Sequence, residues 1–159
     1  MPRGKRAPKR VITPDPVYQS ELLTKFINFV MLDGKKSTAQ RAVYGALEIL
    51  AEKKKGDALK TFEAAIEAVR PQVEVRSRRV GGANYQVPMP VSGYRQNTLA
   101  FRWIIAATRA RKGNSMKEKL SGELLDILEG VGGSMKKKED VHRMADANKA
   151  FAHFARFRR

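Results

Sequence analysis

Apolar residues recur at intervals of three or four along most of this sequence, which is the spacing that buries one face of an α-helix. The pattern predicts six helices between residues 15 and 155. The first is expected to begin at Asp15-Pro16 or at Ser20 and to stop at Asp33-Gly34. Later stops are expected at Gly56, Pro71, Gly113 and Gly130. The sequence therefore predicts a mainly α, six-helix single domain without repeats or linkers.

Polar residues indicate where several of these helices begin. Two pairs have the spacing of a capping box: Ser37 with Gln40, and Ser115 with Glu118. Asp57 is placed to cap the third helix and Ser134 to start the sixth. The second helix is expected to bury Ala39, Val43, Ala46, Leu47 and Leu50. The sixth is expected to turn Val141, Met144, Ala145 and Phe151 inward.

One segment, residues 72–90, alternates apolar and polar positions instead. Gly81-Gly82 at its centre predicts a protruding β-hairpin with a two-residue turn, between helices three and four. The register that follows pairs Val80 with Ala83, Arg79 with Asn84, Arg78 with Tyr85, and Arg76 with Val87. Pro88 and Pro90 exclude a central strand, so this ribbon is expected to be an edge or free, and mobile unless something holds it.

Composition limits the classes of function. The chain has 159 residues, 42% of them hydrophobic, with 32 Lys+Arg against 16 Asp+Glu and a net charge of +16. With no Cys and 2 His, disulfides, thiolate zinc sites and multi-His metal centres are not expected, nor is any cofactor. No apolar run reaches the length of a membrane span and no secretory signal is evident, so a cytoplasmic protein is expected.

Basic residues are concentrated at both ends. Residues 1–14 are broken by Pro and Gly and hold no acid, which predicts a flexible arm when the protein is free. The arm carries five bases: Arg3, Lys5, Arg6, Lys9 and Arg10. Residues 15–155 form the predicted helical domain, and residues 156–159 a basic tail. The last segment mixes aromatic and basic residues, which suits RNA or a partner's groove, or else simply docks Phe151 and Phe154 on the body.

The 43 residues from Val75 to Lys117 contain no acid. They contain nine bases: Arg76, Arg78, Arg79, Arg95, Arg102, Arg109, Arg111, Lys112 and Lys117. Arg95, Arg102 and Arg109 are seven apart, so they form one helical stripe about 21 Å long. A row of arginines without carboxylate partners on its own helix is typical of a phosphate-binding surface, although a solvated face with three unrelated arginines is the plainer alternative.

The hairpin register places Arg76, Arg78 and Tyr85 on one face. A basic, aromatic ribbon face suits phosphate contact and base stacking on RNA, whereas the alternative is a tyrosine packed on the body. Lys35 and Lys36 precede a helix and offer a second place for phosphate, but Gly34–Thr38 lacks the spacing of a nucleotide-binding loop.

Other anionic partners are also compatible with the positive charge of the chain. A membrane surface or an acidic protein would also attract this charge, and a helical DNA-binding protein would bind duplex DNA as well as RNA. An RNA-modifying enzyme would need more reactive groups than His142, which stands four residues from Asp146. RNA binding without catalysis is the leading interpretation.

Two long motifs in the sequence are similar to those of a known protein family. The stretch Lys25–Ala46 (KFINFVMLDGKKSTAQRAVYGA) and the hairpin with its flank (VRSRRVGGANYQVPMPVSGYR) resemble the bacterial small-subunit ribosomal protein seven family. The resemblance implies a helical bundle with a β-ribbon that binds the 3′ major domain of 16S rRNA and nucleates assembly of the head. It further implies contact with exit-site tRNA, mRNA and ribosomal proteins numbered nine and eleven, and in some members repression of the protein's own messenger.

The resemblance also implies roles for individual residues, and no homo-oligomer. Expected to face rRNA are Arg3, Lys5, Arg6, Lys9, Arg10, Lys35, Lys36, Arg76, Arg78, Arg79, Arg95, Arg102, Arg109, Arg111 and Lys112. Expected to face the tRNA or the platform are Arg78, Arg79, Gly81, Gly82, Asn84, Tyr85, Arg143, Lys149 and Arg156.

Overall fold

Helices form most of the fold, and a single hairpin interrupts them. The computed structural model describes residue 4, residues 11–113 and residues 115–156, of which the last by its backbone only. Within these residues the elements are α1 (Glu21–Val30), α2 (Lys36–Lys54), α3 (Ala58–Val69), β1 (Val73–Val80), β2 (Ala83–Pro90), α4 (Gly93–Ala110), α5 (Met116–Leu128) and α6 (Gly133–Ala147). The six predicted α-helices are confirmed. A 3-10 helix at Lys149–Arg156, which the sequence did not predict as a separate element, follows α6.

Aromatic rings form the centre of the core. Phe26 of α1 meets Phe62 of α3 and Phe101 of α4 edge to face, with ring centroids 5.1 and 5.3 Å apart. The predicted buried stripe of α2 is confirmed, and Leu120, Leu124 and Ile127 of α5 complete the same cluster. Because these rings and branched chains come from five different helices, burying them fixes how the helices cross.

Helix starts agree with the sequence in most cases. Ser20, rather than Asp15, caps α1 by accepting a hydrogen bond from the Leu23 amide. The caps predicted at Asp57 and Ser115 are confirmed. The capping box predicted at Ser37 is wrong, because α2 already begins at Lys36 and its cap position, Lys35, has no oxygen in its side chain to accept an amide.

A buried carboxylate within α5 joins the C-terminal end of α4 to the start of α6. Glu123 is 1% exposed; it accepts from Arg111 at 2.7 Å and from both the amide and the hydroxyl of Ser134, at 3.0 and 2.6 Å. Arg111 also binds Asp126 at 2.6 Å. The hydrogen bonds that Arg111 donates to Asp126 and to Glu123 raise the pKa of its guanidinium group. Ser134 therefore lies just inside α6, which begins one residue earlier than predicted, and anchors it.

The hairpin register is the predicted one at every position, from Val80 opposite Ala83 to Val73 opposite Pro90. Gly81 and Gly82 both have positive φ (57° and 92°), as a type I′ turn requires. Of the two alternatives for the ribbon, the free one is excluded: β1 contacts α6, and β2 contacts the 3-10 helix. Val87 is fully buried as a result.

Two residues predicted on the inward face of α6 were misplaced by the helical pattern: Phe151 lies in the 3-10 helix, because α6 ends at Ala147, and Met144 is exposed. Ala145 is buried, as expected, but Met144 is 47% exposed. The cause is that α6 packs through a narrow face, with Ser134 and Ala145 as its buried residues.

Candidate RNA interface

The outer face of α4 carries the arginine stripe. Arg102 and Arg109 are exposed, and Arg95 is half-buried. Arg109 donates to the Val30 carbonyl at 3.4 Å, at the C-terminal end of α1. Among the described residues, Arg102 has no hydrogen bond or ion pair. These two guanidinium groups thus stand on a rigid helix without a carboxylate partner in the described chain, which is what a phosphate contact requires.

The first arginine of the stripe is different. Arg95 binds Glu74 of β1 at 3.2 Å, and the same carboxylate pairs with Arg76. The Glu74 side chain is only 11% exposed, so it is held between the ribbon and α4. The inference that acid-free sequence means carboxylate-free arginines is therefore wrong for Arg76 and Arg95. It fails because Glu74, which stands one residue before the acid-free segment, comes back to these arginines in space.

Arg111 does not share the exposed surface either. Its guanidinium lies between Glu123 and Asp126 and against Gly122, where an added Cβ would be 3.2 Å from Nη2. A charge so placed stabilises the joint of three helices. Lys112, the next residue, is exposed.

Lys35 and Lys36 lie at the same end of the molecule as Arg109, because Arg109 contacts the last residue of α1 and the two lysines follow the turn after α1. Asp33 and Gly34 form this turn with φ of 51° and 72°. Both lysines are exposed. We call the exposed set Lys35, Lys36, Arg102, Arg109 and Lys112 the basic α4 surface.

The ribbon face predicted for base stacking is covered. Tyr85 is half-buried, with its ring 5.1 Å from Phe151 and 5.2 Å from Phe154. Arg78 donates to the Phe154 carbonyl at 3.4 Å. At this face Tyr85 and the two tail phenylalanines thus pack on one another, and Arg78 is bonded to the same segment. The tip residues Arg79, Gly81, Gly82 and Asn84 are exposed.

Beside the ribbon, α6 borders an open groove of ≈ 460 Å³ lined by Met135, Lys138, Glu139, His142, Arg143 and Asp146. Arg143 is exposed, 3.8 Å from Asp140, and Lys149 is exposed. His142 accepts a hydrogen bond from the Gln72 amide at 3.4 Å, so its ring is used at the base of the ribbon. The described residues contain no cluster of three metal-ligating side chains.

Some predicted contacts lie outside the described residues. They are the arm bases Arg3, Lys5, Arg6, Lys9 and Arg10, the side chain of Arg156, and residues 157–159. Sequence reasoning also missed Glu74, which positions two predicted RNA contacts. Its place opposite Met89, on the same strand face as Arg76, was the available signal.

No helix in the described part of the chain combines the length and the apolar character needed to cross a bilayer.

Known proteins resemble this chain over nearly its whole length. The family model described as Ribosomal protein S7p/S5e matches residues 2–149. The small ribosomal subunit protein uS7 of Aliivibrio salmonicida is 58% identical over 154 residues, covering 97% of this chain and 99% of that protein. The proteins of the same name from Pelotomaculum thermopropionicum and Colwellia psychrerythraea are 57% and 56% identical, with the same coverage.

Proposed function

Because this chain belongs to the ribosomal protein S7p/S5e family, a family of non-enzymatic ribosomal proteins, we propose that it is a primary rRNA-binding protein of the small ribosomal subunit. The RNA is the 3′ major domain of 16S rRNA, and its binding nucleates assembly of the head. The chain works as a structural constituent of cytoplasmic ribosomes. Residues 15–155 are the binding domain, and the arm at 1–14 adds further phosphate contacts.

The observation that carries this proposal is the basic α4 surface. Its five cations are exposed. Arg102 and Arg109, which lie on one rigid helix, make no ion pair within the described chain. A surface adapted only for solubility would alternate both signs of charge. Exposed arginines on a fixed scaffold, at an interval of two helical turns, match a run of backbone phosphates instead.

Affinity and specificity have separate sources in this mechanism. Neutralising phosphates releases counterions, which supplies affinity for any RNA. A-form RNA hides the base edges of its deep groove from side chains, so selection depends on the shape of a folded junction. The arginine spacing, fixed by the packing of α4 on α1 and α5, reads that shape.

The decisive experiment reverses two charges, Arg102→Glu with Arg109→Glu, in the full chain. Filter binding to the 3′ major domain is expected to weaken roughly tenfold or more, and the log–log salt dependence to lose about one unit of slope per lost contact. Both side chains are exposed, so the melting temperature should change little.

A matched control applies the same charge change elsewhere. Lys53→Glu with Lys54→Glu alters the far end of α2, which is 19 residues long and so places these lysines about 27 Å from Lys36. This variant should lose clearly less affinity. Equal losses of affinity in the two variants would mean that only the net charge of the protein matters, not its position on α4. Unchanged binding by the α4 variant would contradict the proposed interface.

We further propose that the ribbon tip and the C-terminal region contact exit-site tRNA and mRNA, and that ribosomal proteins numbered nine and eleven are neighbours. The exposure of Arg79, Asn84, Arg143 and Lys149 supports this assignment. Repression of the chain's own messenger would use the same RNA-binding surface.

Deleting residues 77–84 tests the ribbon role. Ribosomes with the shortened ribbon should assemble, because the basic α4 surface is untouched, but should hold deacylated tRNA in the exit site less well. Retention measured by filter binding is the readout, with ribosomes carrying the intact chain as control. Normal retention would exclude a ribbon contact.

Competition with duplex DNA separates this function from that of a DNA-binding protein. The 3′ major domain should compete for the protein far better than duplex DNA of equal length. Equal competition would favour the DNA-binding alternative.

A further inference from the structure

The C-terminal 3-10 helix covers the ribbon face that carries an aromatic ring beside a guanidinium group. Phe151 and Phe154 are nearly parallel, with an interplanar angle of 12° and centroids 6.3 Å apart. Tyr85 contacts both rings, within 5.2 Å. Across the strand pair, Arg78 stands directly opposite Tyr85 and donates to the Phe154 carbonyl. The helix therefore occupies the position that a stacked base and its phosphate would take.

The contacts between the cover and the ribbon are of a kind that RNA can replace. Ring against ring can be exchanged for ring against base, since every base has a π-face. Arg78 donates to the Phe154 carbonyl at 3.4 Å and to the Met89 sulfur at 3.8 Å, and a phosphate would add a charge-assisted bond to the same guanidinium group. After the exchange Tyr85 would still be stacked, on a base, and Arg78 would hold a phosphate through a stronger bond.

The covering segment itself is weakly built. A 3-10 helix has poorer hydrogen-bond geometry than an α-helix, and runs beyond three or four residues are uncommon, yet this one spans eight. All three rings of the contact remain only half-buried. The segment also carries Lys149 and, in its sequence, Arg156, so a polyanion that approaches the ribbon attracts the cover as well.

We propose that the 3-10 helix Lys149–Arg156 is a displaceable cover: single-stranded RNA arriving at the ribbon moves it aside, and a base and a phosphate take the places of Phe151 and the Phe154 carbonyl. This inference rests on the proposed RNA-binding function. In the covered state the ribbon resists stray RNA, and in the open state Arg78 and Tyr85 join the exposed tip in one binding face.

Uncovering the face should raise its affinity for single strands. In the full chain, Phe151→Ala with Phe154→Ala is expected to bind a short oligouridylate about three- to tenfold more tightly than the parent, because apparent affinity scales with the fraction of molecules in the open state. Adding Tyr85→Ala should abolish that gain. Val131→Ala is the control, since Val131 is an exposed apolar residue outside the segment and its loss should leave oligouridylate binding unchanged.

Hydrogen exchange in the unmodified chain gives a second measurement that does not depend on any variant folding. Saturating oligouridylate should speed amide exchange in residues 149–156 while the amides of α4 stay protected. Slower exchange in residues 149–156 would mean that the segment is part of the binding face, and unchanged exchange would mean that it is not moved. Either result overturns the cover.

The binding measurements on the variants can also contradict the proposal. Weaker or unchanged oligouridylate binding by the double alanine variant would also overturn the cover. Binding of the parent to the 3′ major domain, measured in the same series, separates this failure from that of the proposed function. If the parent protein binds the rRNA but the oligouridylate results contradict the proposal, only the cover is rejected. If the parent protein does not bind the rRNA, the proposed function is rejected.

Discussion

At the residue scale, a buried carboxylate anchors the chain just before α1. Asp15 is 2% exposed; it accepts amide hydrogen bonds from Val17 and Tyr18 and the hydroxyl of Tyr44 at 2.7 Å. The local sequence gives Asp15 as a possible start of the first helix. It cannot predict the bond to Tyr44, because Tyr44 is 29 residues away along the chain. The site where the body begins is thus fixed by tertiary contact.

Tyr44→Phe should destabilise the protein by about 1–2 kcal/mol at pH 7, because one oxygen of a buried carboxylate loses its donor while the two backbone donors remain. Urea unfolding measures the change. An unchanged midpoint would mean that water replaces the hydroxyl without loss.

The same hydroxyl predicts a pH dependence. Burial, and next its hydrogen bond to Asp15, raise the pKa of Tyr44 to about 12 from the usual 10.0. Because the folded state holds this proton more tightly than the unfolded state, its contribution to stability is complete below pH 10 and disappears as the pH rises to about 12. Melting temperatures across this interval should fall less steeply for Tyr44→Phe. Tyr18, whose pKa burial also raises, lies next to Tyr44 in the parent and is present in both proteins, so a smaller fall remains in the variant.

At the scale of elements, the start of α6 depends on a glycine. Gly132 has a φ of 102°, and a Cβ there would be 3.1 Å from the buried Glu123 carboxylate and 3.3 Å from Asp126. Neither neighbour can retreat easily, because both carboxylates hold Arg111. The backbone conformation at Gly132, the ion pairs of Arg111 and the start of α6 therefore depend on one another.

Gly132→Ala is expected to cost about 1–3 kcal/mol through backbone strain and this close approach. Gly93→Ala is the matched control: Gly93 is the first residue of α4, without positive φ and with open space around it, so alanine there should be neutral or stabilise by about 0.4–1 kcal/mol. The urea midpoint should fall for Gly132→Ala and should stay or rise for Gly93→Ala. A common shift would contradict the strain argument.

Elements also show where sequence patterns succeed. Periods of 3.6 and 2 identified the helices and the strands. Residue types at helix starts identified the caps at Asp57 and Ser115, and the two-glycine turn gave the hairpin register. Each of these features depends on neighbours within a few residues. The partners of Arg95, Arg111 and Tyr85 were not identified, because each comes from another element at a distance set by packing. Charge placement along the chain thus found the basic region, but not which arginines in it stay exposed.

At the scale of the whole molecule, net charge predicts how binding responds to salt. If about ten phosphates are neutralised, the slope of log affinity against log salt for the 3′ major domain should be roughly −7 to −9. Titration of binding at several salt concentrations measures it. A slope near −2 would show that most of the +16 charge acts without touching phosphate.

Glu74 has a consequence for the molecule as a whole. By holding Arg76 of the ribbon and Arg95 of α4 on one carboxylate, it fixes the distance between two arginines that are proposed to contact RNA. An RNA whose phosphates match that span gains the second contact at a high local concentration, whereas one of equal length and charge but different fold gains only the first. In the proposed function, Glu74 would therefore contribute to the choice among RNAs by fixing the distance between two arginines.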